Sequence, residues 1–124
     1  MNVDYEQIDN INWEQFKIDA QKELEQAGGK YLNISCWTDV YPCLILEIKG
    51  KKMIVEQLGY IGDRTIPSER GHQNWIIYRE SNDPIIRVFT LRKNGMWTEQ
   101  GSAMGQGYCG HISDNPRYYH DWEF

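Results

Sequence analysis

At 124 residues and 14.7 kDa the chain has room for one domain, residues 1–124, around one core. Hydrophobic residues at 40% and charged residues at 25% exclude wholesale disorder. The 18 acids against 13 Lys and Arg give a formal charge of -5, opposite in sign to the basic field that a duplex-DNA binder needs.

No apolar run approaches the ~20 residues of a membrane-spanning helix. The opening Met-Asn-Val-Asp-Tyr-Glu-Gln carries no basic segment followed by an apolar one. Cys36, Cys43 and Cys109 are too sparse, and odd in number, for a secreted disulfide framework. A cytoplasmic protein is expected.

The first predicted element is an amphipathic helix over Trp13–Ala27. Trp13, Phe16, Ala20, Leu24 and Ala27 recur at spacings of three and four and form one apolar stripe. Asn12 is placed to cap the free N–H groups, and Gln15 to complete a capping box. Gly28-Gly29 supply the left-handed residue that ends a helix.

Tyr31–Trp37 is read as a strand. Cys43–Lys49 and Lys52–Gly59 form a hairpin about Gly50-Lys51, a type II′ turn with glycine first. That turn pairs Ile48 with Met53, Leu46 with Val55 and Leu44 with Gln57 on one face. It pairs Lys49 with Lys52, Glu47 with Ile54 and Ile45 with Glu56 on the other. Tyr60–Gln73 breaks the alternation and reads as a long loop whose Arg64, Arg70 and His72 offer contacts to an anion or a partner.

Trp75–Glu80, Ile85–Arg92 and Met96–Gln100 read as an antiparallel meander. Ser81-Asn82-Asp83-Pro84 joins the first two strands, and Asn94-Gly95 joins the last two in a type I′ turn. Counting from these turns puts Ile76, Tyr78, Phe89 and Leu91 on a core face. Trp75, Ile77, Arg79, Val88, Arg92 and Trp97 fall on the other, with Arg92 directly across from Trp97. Four of these, Trp75, Arg79, Arg92 and Trp97, make a candidate recognition face, since Trp and Arg dominate protein hot spots and also stack and grip anionic ligands. The competing expectation is that the helix, the other hairpin or the tail covers this face. The glycine-rich stretch 101–111 and the tail through Phe124 close the chain, and the tail's apolar residues predict that it docks on the body.

Gly105-Gln106-Gly107-Tyr108-Cys109-Gly110 matches G-x-G-x-x-G as a string, yet no room remains for the helix, strand and acidic residue of a dinucleotide fold. Cys109, His111, His120 and Asp121 lack the paired spacing of a structural zinc site, so no metal and no cofactor is expected. Cys109 with His111 or His120, and Cys43 with His72, are candidate nucleophile–base pairs, and no catalytic signature surrounds them. The fold expected is α+β: one N-terminal helix packed on a twisted, mainly antiparallel sheet of five to seven strands. The function expected is a non-enzymatic protein-binding module, an inhibitor or neutralising protein of phage or immunity type acting by surface occlusion. The alternative is a binder of a nucleotide or other small anionic ligand through Arg and Trp, assembling as a homo-oligomer. A small enzyme of unknown reaction comes third.

Overall fold

The computed structural model describes residues 3–36, 38–67, 73–101 and 108–120. A short 3-10 helix, Tyr5–Asn10, leads into helix α1, Trp13–Ala27. The Asn12 side chain accepts from the Gln15 backbone N–H at 3.2 Å, and Gly28 closes the helix at φ 65°. The Gln15 side chain does not reach back to the cap; its Nε2 donates to Asp19 Oδ1 one turn on, at 2.8 Å.

The strands that follow are β1 Tyr31–Cys36, β2 Asp39–Lys49, β3 Lys52–Gln57, β4 Gly59–Gly62, β5 Trp75–Tyr78, β6 Ile86–Leu91, β7 Trp97–Glu99 and β8 Cys109–Ser113. Six of them close an antiparallel barrel in the order β1-β2-β3-β6-β7-β8, with β8 pairing back onto β1. The expected helix and antiparallel strands are present, but the open sheet is a closed barrel. Closure gives every one of those strands two neighbours and leaves no free edge.

The first hairpin forms about Gly50, whose φ is 61°. Its outer pairs, Lys49 with Lys52, Glu47 with Ile54 and Ile48 with Met53, are the expected ones. Beyond them an extra residue, Leu46, shifts the register, so Ile45 faces Val55, Leu44 faces Glu56 and Cys43 faces Gln57. The bulge changes the inward parity of β2, sending Cys43 and Ile45 toward the barrel interior and Leu44 to the outer wall.

Only the second half of the predicted meander forms. β5 leaves the barrel and pairs with β4 in a separate two-stranded ribbon, converting the start of the expected 60–73 loop into a strand. β6 keeps its expected antiparallel partner β7 and takes β3 in place of β5. The turn between β6 and β7 also differs from the expected one. Gly95 N–H donates to Arg92 C=O at 2.9 Å and only Gly95 has positive φ there, at 80°. The loop therefore spans three residues, and Trp97 faces Leu91 rather than Arg92. A slip of one residue moves a side chain to the opposite face of a strand.

Three apolar clusters result. Leu32, Ile34, Cys43, Met53, Val55, Phe89 and Trp97 fill the barrel. Phe16 and Ala20 of α1 pack on Ile76 and Tyr78 of the ribbon. Leu24 joins Tyr31, Leu44 and Leu58 between the helix end and the barrel's outer wall. The helix stripe thus holds the ribbon to the barrel instead of closing one sheet face. Described residues of the tail dock as expected: Val40 and Tyr119 exchange backbone hydrogen bonds at 2.9 and 3.0 Å. No described helix is long and apolar enough to cross a membrane.

Candidate functional site

The four residues of the predicted recognition face are not brought together. Trp97 is 9% exposed and belongs to the barrel core. Arg92 points away from it, its Nε donating to Thr90 Oγ1 at 2.9 Å. Arg79 grips Glu56 with two hydrogen bonds, Nε to Oε2 at 2.8 Å and Nη2 to Oε1 at 3.2 Å. Trp75 sits on the ribbon, its indole N–H donating to Gln73 Oε1 at 3.0 Å. Of the loop residues, Arg64 stacks over Trp13 at 5.1 Å, and Arg70 and His72 lie outside the described residues.

The residues considered for metal or nucleophilic chemistry are also dispersed. Cys43 is fully buried, and burial above all pushes its thiol up to about 12. Cys109 lies 3.6 Å from Thr98 Oγ1, whereas His120 lies 3.5 Å from Asp39. Among the described residues no group of three His, Cys, Asp or Glu side chains is placed to share a metal ion. Arg87, whose guanidinium lies over the Phe89 ring of the barrel core, is paired with Glu99 at 2.6 Å.

What the fold does build is a cleft of about 470 Å³ where the ribbon meets the barrel. The 3-10 segment contributes Val3 and Tyr5. The β3–β4 corner contributes Gln57, Leu58, Gly59 and Tyr60, and the β5–β6 connection Tyr78, Glu80, Asn82, Asp83 and Ile85. Gly59 pairs with Tyr78, and a Cβ there would lie 2.4 Å from Tyr78 Cζ, so only glycine lets that ring lie flat across β4. Burial, then the Tyr5 and Glu80 charges, push the Tyr78 hydroxyl up to about 12, and it shares a hydrogen bond with Tyr5. Glu80 is steadied by the Asn82 backbone N–H, 3.1 Å from its Oε1. Asp83 holds a left-handed φ of 49° at the rim.

Tyr60, one wall of the cleft, is itself buttressed. Its ring stacks on Tyr118 at 3.6 Å and 12°, and Trp75 meets both rings edge-on at 6.2 and 4.6 Å. Gln73 ties this cluster to the tail, accepting from the His120 backbone N–H at 3.0 Å. Trp75 is therefore a support for the cleft wall.

The two most exposed large apolar side chains of the described residues, Tyr5 at 66% and Ile85 at 55%, both line the cleft, and the exposed Ile86 follows Ile85 in the chain. Arg79 is turned away onto Glu56, so the described lining contains no Lys, Arg or His. Charge is segregated on a larger scale as well. Residues 1–27 hold seven of the 18 acids and two of the 13 Lys and Arg, the whole excess of five, while residues 28–124 balance at eleven each. Tyr5, Tyr60, Tyr78, Glu80 and Asp83 were not legible as a site, because their convergence depends on β5 leaving the barrel. Ile85-Ile86 was a usable signal: side chains alternate along a strand, so adjacent isoleucines entering β6 cannot both face the interior. Comparison with protein-family models, characterised proteins and solved structures finds no match for this chain.

Proposed function

We propose that the protein is a non-enzymatic binding module that docks a basic protein surface on the cleft and its apolar rim, occluding that surface as an inhibitor does. The observation that carries this reading is the meeting of Tyr5 and Ile85, the two most exposed large apolar side chains of the described residues, at one cleft. Solitary exposed apolar residues are ordinary, but a cluster flanking a concave polar site is characteristic of protein docking surfaces. A basic partner is favoured because the adjoining helical segment holds the chain's excess negative charge and the cleft adds Glu80 and Asp83. Three free cysteines support action in the reducing cytoplasm.

The test is capture of a partner from the native host followed by affinity measurement on two variants. Ile85→Lys removes an apolar contact at the rim and sets there a charge like the basic partner's; it is expected to weaken binding at least ~10-fold, about 1.4 kcal/mol, with little change in melting temperature because Ile85 is exposed. Ile112→Lys is the control, on β8 across the barrel from β3. Equal losses from the two variants, or none from Ile85→Lys, would refute the assignment.

A further inference from the structure

We propose that the cleft receives the ammonium or guanidinium end of a lysine or arginine side chain projecting from the protein partner. This rests on the binding-module reading above and gives its central contact. Three rings, Tyr5, Tyr60 and Tyr78, face the cleft, and the negative faces of aromatic rings attract organic cations. Two carboxylates, Glu80 and Asp83, and two side-chain amides, Gln57 and Asn82, complete the polar lining. The nearest basic neighbour in sequence, Arg79, is held away by its two-pronged contact with Glu56.

Other ligand classes fit poorly. An anion would meet Glu80 and Asp83 with no described cation to offset them. A purely apolar group would strip water from those carboxylates without replacing its hydrogen bonds. The raised Tyr78 hydroxyl reports the same environment, since burial and the negative charge of Glu80 both oppose a further anion there. The volume, about 470 Å³, accepts a long side chain. The source is a protein, because the exposed Ile85 and Tyr5 at the rim form a surface that a small amine would leave uncovered. The Tyr60–Tyr118 stack fixes one wall before binding, which lowers the ordering cost of the contact.

The experiment is an NMR titration of the intact chain with N-acetyl-lysine methylamide and N-acetyl-arginine methylamide, and with the norleucine and glutamate analogues as controls. Saturable shifts at Gly59, Tyr78 and Glu80 with one or both cations, and none with the controls, are expected. The double variant Glu80→Gln, Asp83→Asn removes both charges while leaving an acceptor for the Asn82 N–H and a residue that tolerates left-handed φ. It should weaken cation binding at least 10-fold with the melting temperature unchanged.

Tighter binding of norleucine or glutamate than of either cation, no saturation with either cation, or no effect of the double variant would overturn the proposal. The titration needs no partner. Its failure alongside Ile85-sensitive capture leaves the module reading standing and removes only the cation pocket. Its success with no captured partner would make the ligand a free amine and overturn the protein-borne assignment.

Discussion

Trp75 and Trp97 look interchangeable in the sequence, each an aromatic that the expected register puts on one face with Arg79 and Arg92. The fold separates them because one extra residue in the β6–β7 loop puts Trp97 opposite Leu91 and inside the barrel. Trp97→Ala should therefore lower stability by ~3–5 kcal/mol as a core truncation, read by chemical denaturation. Trp75→Ala removes edge-on ring contacts and should cost less, about 1 kcal/mol. A loss under ~1 kcal/mol at Trp97 would contradict the three-residue loop and the register built on it. Gly110 shows a second residue-scale effect. It ends a glycine string whose meaning in the sequence was only negative, and in β8 its Cα lies so close to Leu32 that a Cβ would sit 2.7 Å from Leu32 Cγ. Leu32 is fully buried, so Gly110→Ala should destabilise by ~1–3 kcal/mol through overpacking, measured the same way. Such close approaches are set by which strands become neighbours, and β1 beside β8 is a pairing across most of the chain length.

At the scale of elements, local signals were readable and non-local pairings were not. The bounds of α1, its Asn12 cap and its Gly28 stop depend on contacts within a turn or two, as do the outer pairs of the β2–β3 hairpin. The Leu46 bulge, the ribbon and barrel closure depend on partners chosen elsewhere, so periodicity alone could not assign them. The helix–ribbon junction has its own electrostatic clasp. Lys17 Nζ lies 2.7 Å from the nearly buried Asp63 carboxylate, which also accepts from Thr65 N–H at 2.9 Å and Thr65 O–H at 2.6 Å. Burial alone would raise this carboxyl, but the hydrogen bonds from Lys17 and Thr65 outweigh it and hold it below its ordinary 3.8. The folded state therefore takes up this proton less readily than the unfolded chain. The clasp's contribution is full above the unfolded value and is lost as pH falls from there through the folded value. Asp63→Asn should accordingly destabilise at pH 7 and lose most of that effect under acid conditions below the folded pKa. A pH-independent difference between Asp63→Asn and the parent would mean that the ionised clasp contributes nothing.

For the whole molecule, an acidic helical segment stands against a remainder, residues 28–124, whose acids and bases balance, with the cleft where the ribbon, the segment and the barrel meet. Composition revealed the net charge but not its confinement, which matters only once α1 is seen packed along the ribbon beside the cleft. A field concentrated on one side orients an oppositely charged partner during approach, and its reach shrinks to ~8 Å at physiological ionic strength. The contacts proposed to hold a partner, Tyr5, Ile85 and the tyrosine-lined cleft, act at shorter range. Salt should therefore slow association with the captured partner by ~10-fold or more across the usual buffer range while changing dissociation much less. Asp9→Lys with Glu25→Lys tests the source of the field. Both positions are exposed, and Glu25 lies in the last turn of α1, where a cation suits the helix dipole, so folding should be preserved. Stopped-flow association should become slower at low salt and nearly salt-independent in this variant, with the dissociation rate retained. Unchanged association in the variant would locate steering outside the helical segment, and the charge argument for a basic partner would fall with it.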